Sequence, residues 1–201
     1  MKPHYVLVNG IRTNPNDVNG WTDHAEEWLE DYGYSATKYE YFCTSVFRWV
    51  RQPSRSRSVA EIIKRSVKPV VYVGHSNGCE ILAKIFREDK MVRIKDAHLF
   101  APAVDPDFDA NGFNKAFRDG RIERLFIYGS KADHTLRIGN KLTGWLRFIG
   151  MGYGHLGYEG PRNQSGAAIL RTYVHWQNEF AHSDWFKPHN FEKSMNLTVR
   201  K

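Results

Sequence analysis

The stretch Gly74-His75-Ser76-Asn77-Gly78 sets one hydroxyl between two glycines, each two positions away, directly after the apolar run "VVYVG". A serine hydroxyl is a weak nucleophile at neutral pH. It becomes a useful one when an imidazole takes its proton and a carboxylate holds that imidazole in the productive tautomer. Glycine at both flanking positions suits a turn so tight that larger side chains would strike the adjacent strand and helix, and such a turn forces the serine into strained backbone angles. The following run, "CEILAKIF", has helical spacing, so the amides at its start face whatever reacts at Ser76, where a helix N-terminus favours developing negative charge. The plainer alternative is a serine that merely caps that helix. For the carboxylate the chain offers Asp133 in "SKAD", and Asp105 or Asp107 in "PAVDPDFD"; for the imidazole it offers His182, His155 and His134. His98 and His175 lie inside strand-like runs, where a histidine is packed or hydrogen-bonded, and His75 is expected to face away from the serine beside it.

The elements that must position these groups alternate along the chain. "HYVLVNG", "ATKYEYF", "PVVYVG", "IKDAHLFAPAV", "IERLFIYG" and "RTYVHWQNEF" read as strands, and several are apolar on both faces, as strands covered on both sides are. Between them, "WTDHAEEWLEDYG" has apolar residues at helical spacing, with Thr22 as a cap and Gly33 as a stop. "SVAEIIKRSV", "GCEILAKIFRED", "TLRIGNKLTGWLRF" and the tail from Asp184 also read as helices, while Pro53 and three serines mark a basic loop before "SVAEIIKRSV". The expected architecture is α/β, a mostly parallel sheet of about six strands with helices on both faces, formed by residues 1–201 as one domain. In such sheets ligands sit beyond the carboxyl ends of the strands, which is where Ser76 falls.

Strand, G-x-S-x-G and helix in that order resemble the nucleophile elbow of the α/β-hydrolase superfamily, and the likeness runs through essentially the whole chain in strand order. The resemblance implies a Ser, acid, His order. The acid of that family usually follows the second strand after the nucleophile, which points to Asp133 rather than Asp105, and the histidine usually follows the last strand, which points to His182 rather than His155. It also implies an oxyanion hole made by the amide of Asn77, the residue after the nucleophile, and one from the loop after the first strand, at Gly10 or Ile11. Here the chain departs from the family, with Asn9-Gly10 where His-Gly is common, and with Cys79 where a second glycine often follows Gly78. The implied activity is that of a compact serine esterase or lipase-like enzyme cleaving an ester or thioester through an acyl-enzyme, without cofactor or metal. The pocket is expected to be shallow, or covered only by the Asn14 to Trp21 loop and the basic loop around Arg55.

Composition bounds these expectations. The chain has 201 residues, 41% hydrophobic and 25% charged, and a mean hydropathy of −0.56, a globular composition without a membrane-spanning run. With no leader pattern in "MKPHYVLVNGIRTN", the expected compartment is the cytoplasm. Cys43 and Cys79 are too few for a disulfide framework. The net charge is +7, concentrated between residues 48 and 68, where seven basic residues face Glu61 alone. That stretch, with aromatics among the arginines in "FRWVRQPSRSR", supports a second reading: a non-catalytic protein of the same fold whose basic stretch binds nucleic acid or lipid headgroups. "GYGHLG" at 152–157 matches G-x-G-x-x-G but neither follows a strand nor opens a helix, so it reads as a loop and not as a dinucleotide site; zinc and P-loop motifs are missing. Trp21, Phe47, Trp49, Trp145 and Trp185 read as core or pocket lining.

Overall fold

The computed structural model describes residues 1–11, 20–41, 48–143 and 154–199. The loop from Asn14 to Trp21, Cys43, Phe47, Trp145, the side chain of Trp49 and the start of the 152–157 stretch fall wholly or partly outside them. Six strands, β1 (His4–Val8), β2 (Ser35–Tyr39), β3 (Val70–His75), β4 (Ile94–Phe100), β5 (Ile122–Gly129) and β6 (Thr172–Trp176), form one sheet in the order β2-β1-β3-β4-β5-β6. All five pairings are parallel. The helices are α1 (Trp21–Asp31), α2 (Arg48–Arg65), α3 (Asn77–Glu88), α4 (Phe113–Arg118), α5 (His134–Thr143), α6 (Leu156–Glu159), α7 (Ala167–Arg171) and α8 (Pro188–Val199), with a short 3-10 helix at Asp184–Phe186. Among the described residues, no helix is long and apolar enough to cross a membrane.

Strand alternation sorts the core into two layers. On one face Val6, Val8, Val70 and Tyr72 pack with Val59, Ala60 and Ile63 of α2 and with the apolar side of α3. On the other face Tyr5, Leu7, Val71 and Val73 meet Ala25 and Leu29 of α1, Met195 of α8 and Trp185. The connection β1-α1-β2 therefore runs over one face and β2-α2-β3 over the other, so the chain changes direction between the adjacent strands β1 and β3. That is the position at which open α/β sheets form a crevice at their carboxyl ends.

Three local expectations need correction. The stretch read as a basic loop is helical from Arg48, and Pro53 lies inside α2. Proline removes one amide donor, yet the helix persists because Gln52, Arg55, Ser56, Val59, Ala60 and Ile63 recur at helical spacing and are all buried. The serine hydroxyls fold back onto the helix, Ser54, Ser56 and Ser58 donating to the carbonyls of Arg51, Pro53 and Ser54 at 2.8, 3.0 and 3.1 Å. Second, the residue preceding α1 is Gly20, not Thr22; Thr22 is inside the helix and its hydroxyl donates to Glu40. Third, the end of the glycine-rich stretch is not a loose loop: its Leu156 and Gly157 open α6, and their amides donate to the Val104 and Pro102 carbonyls at 2.9 and 3.0 Å.

Candidate active site

Ser76 sits between the end of β3 and the first turn of α3 with φ +53° and ψ −117°, a region side-chain-bearing residues rarely adopt. Neighbouring strand ends hold it there. Its amide donates to Phe100 O at 3.0 Å, and its carbonyl accepts from Cys79 and Ala103 at 3.1 and 3.2 Å. A Cβ on Gly74 would come within 2.8 Å of the Tyr72 ring and 3.3 Å of the Cys79 amide, and one on Gly78 would enter Val8 O and lie 2.8 Å from Asn9 O. Gly78 is thus required by close approach of backbone, and Gly74 chiefly by the Tyr72 ring. The Gly78 contact also presses the start of α3 against the loop leaving β1, and a Cβ on Gly10 would lie 3.0 Å from Ser76 Cβ. Gly10 therefore borders the serine, and Asn9 the first turn of α3.

Asp133 follows β5 and immediately precedes α5. It is 1% exposed, and its Oδ1 accepts the Leu136 amide at 2.9 Å, as a helix cap does. Its Oδ2 lies 2.7 Å from His182 Nδ1, and His182 Nε2 lies 2.8 Å from Ser76 Oγ. An ionised carboxylate only accepts, so a neutral His182 carries its proton on Nδ1 and leaves Nε2 free to accept from the serine hydroxyl. The structure thus brings together Ser76, Asp133 and His182 from three strand ends.

The segment carrying His182 is fixed by aromatic packing and local turns. Trp185 is buried against Phe100 and Phe180, at centroid separations of 5.5 and 4.9 Å. Phe186 stacks on Trp21 at 4.1 Å and meets His75 edge-on at 5.7 Å. Asp184 accepts the Ala181 amide at 2.7 Å. His75 completes the support: its Nε2 lies 3.0 Å from the His182 carbonyl oxygen, so a neutral His75 donates there. Burial, reinforced by the His182 ring 5.2 Å away, lowers the His75 pKa to about 4 and keeps it in that neutral form. Nothing in the pentapeptide signals this role.

The other candidates are engaged elsewhere. Asp105 accepts the Asp107 amide at 2.9 Å within a local turn. His155 is 1% exposed and lies 2.7 Å from Glu159 Oε1, which also pairs through its second oxygen with Arg162. His98 is buried, 2.9 Å from Tyr128 Oη and stacked on Phe126 at 4.6 Å, and burial lowers its pKa to about 3. His175 stacks on Tyr128 at 5.2 Å. Cys79 is buried beside the elbow, where burial raises its pKa and keeps the thiol protonated. Among the described residues, no group of three or more His, Cys, Asp or Glu is arranged to hold a metal ion.

Beside the serine lies a polar cluster with no counterpart in the sequence reading. Asn77 Nδ2 donates to Tyr41 Oη at 2.7 Å and to Gln52 Oε1 at 3.4 Å, while the Arg55 guanidinium lies over the Tyr41 ring at 4.3 Å. Gln52 and Arg55 fall one turn apart on the buried face of α2, a pattern that helical spacing reveals once 48–58 is recognised as helix.

No protein-family model matches the chain, and no curated protein matches it in sequence. Solved structures do resemble it. A Xanthomonas campestris protein assigned to the alpha/beta hydrolase superfamily is 13% identical, with a TM-score of 0.58 over 98% of this chain and 96% of that one. The esterase domain of a Rhodothermus marinus protein is 10% identical, with a TM-score of 0.58 over 98% and 86%. Mouse alpha/beta hydrolase domain-containing protein 10 is 11% identical, with a TM-score of 0.56 over 98% and 88%. At these identities the likeness is one of fold.

Proposed function

We propose that this chain, which has the α/β-hydrolase fold, is a serine hydrolase that cleaves an ester or thioester through an acyl-enzyme. One observation carries the reading: a serine held at φ +53°, with a histidine Nε2 at 2.8 Å whose Nδ1 is 2.7 Å from a buried carboxylate. Esterase and hydrolase descriptions among the structural relatives agree with it.

In the proposed reaction the Ser76 hydroxyl gives its proton to His182 Nε2 as Oγ bonds to the acyl carbon. Asp133 holds Nδ1–H and stabilises the resulting imidazolium without taking its proton. The carbonyl oxygen becomes an oxyanion facing the amides of Asn77 and Ile11. The first of these begins α3, and the second follows Gly10, whose Cβ position lies 3.0 Å from Ser76 Cβ. Collapse expels the leaving group, which takes the proton from Nε2. Water then gives a proton to the same nitrogen as its oxygen bonds to the acyl carbon, and collapse breaks the bond to Ser76 Oγ, which takes that proton back as the acid leaves. His75, through the His182 carbonyl, keeps the imidazole in register.

The test is turnover of short p-nitrophenyl esters by the intact chain beside Ser76→Ala and His182→Ala. The reading expects hydrolysis that both substitutions reduce by at least about 1,000-fold, the scale on which such triads depend on each member. Equal rates in all three proteins would overturn it.

A further inference from the structure

Asn77, the residue that follows Ser76, is 1% exposed, and Gln52 and Arg55 beside it are 7% and 4% exposed, so three strongly polar side chains lie out of water there. Asn77 binds the cluster together through Tyr41 and Gln52, and Arg55 closes it by stacking on Tyr41. Among the described residues the cluster lacks a counter-ion. Arg55 makes no ion pair among the described residues, its buried Nη1 has no hydrogen-bond partner, and neither does the buried Nε2 of Gln52. A guanidinium withdrawn from water and left unpaired is among the most costly arrangements a fold can keep, and a stack on one tyrosine does not satisfy its N–H groups. The buried Arg121 is better provided for: it donates to the Asp89 and Phe86 carbonyls, both at 2.9 Å, and its Nε, which makes no hydrogen bond, lies 3.7 Å from Asp119 Oδ2.

We infer that Arg55 and Gln52 form a subsite beside Ser76 for a carboxylate carried by the substrate, so that the enzyme acts on anionic esters or thioesters. The inference rests on the serine-hydrolase reading above and narrows its substrate class. Two unpartnered donors of planar groups one helical turn apart match the two oxygens of a carboxylate, and arginine is the side chain whose fork best reads that shape. The unpartnered acceptors Asn9 Oδ1 and Asn77 Oδ1 suit a bridging water or an N–H or O–H next to the carboxylate. The basic charge that the sequence concentrates at 48–68 is thereby divided. Arg51, Arg57, Lys64 and Arg65 lie on the outer side of α2, and Arg55 points inward.

Paired substrates test this. One pair is the mono-p-nitrophenyl ester of glutaric acid against p-nitrophenyl valerate, with the charge on the acyl side. The other is 4-acetoxybenzoate against phenyl acetate, with the charge on the leaving group. In at least one pair the wild-type chain should prefer the carboxylate ester by about 10- to 100-fold in kcat/KM, mainly through KM, the range of a charge-assisted hydrogen bond. Free glutarate or benzoate should compete. Arg55→Met, which keeps the stem and removes the guanidinium, should bring that ratio close to one, and Arg55→Lys should restore it in part. The wild-type comparison stands even if Arg55→Met fails to fold. Turnover of neutral esters by Ser76 with no preference in either pair would overturn the subsite and leave the hydrolase reading intact. Failure to turn over any of the four esters, with Ser76 inert to a fluorophosphonate, would remove both.

Discussion

Replacing Asp133 by asparagine separates two tasks that one buried carboxylate performs. Oδ1 accepts the Leu136 amide at the start of α5, and Oδ2 faces His182 Nδ1. Asparagine can keep the first contact through its carbonyl oxygen, but it then presents an NH2 group to Nδ1. His182 must respond by holding its proton on Nε2, where it can no longer accept one from Ser76. The expected loss in kcat/KM is about 1,000- to 10,000-fold, or about 4–5.5 kcal/mol of transition-state stabilisation. Folding should hardly change. Asp133→Ala should lose the same activity and also the cap, at about 1 kcal/mol, which in a domain of this size lowers Tm by about 2–4 °C. Ester turnover and thermal melts on the two variants therefore give different orderings: equal in rate, unequal in stability. Asp133→Asn retaining a tenth or more of the wild-type rate would refute the orienting role. Identical melting points for the two variants would refute the cap.

Three further outcomes follow from the same geometry. Gly78→Ala puts a methyl group against the backbone oxygens of Val8 and Asn9, neither of which can turn aside; it should cost about 1–3 kcal/mol in urea denaturation and slow turnover by moving the loop that carries Ile11. Ser76→Gly relieves the φ of +53° and should raise stability by about 1 kcal/mol while abolishing activity; a destabilised variant would show that the serine is not strained. His98 and His75 have folded pKa values lowered to about 3 and about 4, below the unfolded value near 6.5, so the unfolded chain takes up protons first. Their contribution to stability is complete above pH 6.5 and is lost as the pH falls through 4 towards 3, each group adding at most about 1.4 kcal/mol per pH unit to the slope of denaturation midpoints. His98→Phe should make that slope shallower, and an unchanged slope would count against its titration.

The strand sequence and the elbow were legible because they depend on local pattern: apolar runs at β3 and β5, and glycines at 74 and 78, where a Cβ would strike the Tyr72 ring and the Val8 carbonyl oxygen respectively. The chain order of Ser76, Asp133 and His182 was legible for a related reason, since each lies just beyond a strand and parallel strands end on the same side. What was not legible depends on tertiary contact. Pro53 and its neighbouring serines carry turn signals, but burial of one face of α2 overrides them, and with that helix unseen the inward direction of Arg55 and Gln52 could not be read. His75 is bound to a carbonyl 107 residues away, a contact no local spacing encodes. His155 also offered an imidazole for the base; its place before the last strand counted against it, and it is buried beside Glu159 while His182 meets Ser76.

The most direct test is to treat the intact protein with a fluorophosphonate and locate the adduct by peptide mass spectrometry. The account predicts a single modification on Ser76, formed rapidly at neutral pH, absent in Ser76→Ala and slowed by several orders of magnitude in His182→Ala. An unmodified Ser76, or a Ser76 that reacts equally fast without His182, would contradict it.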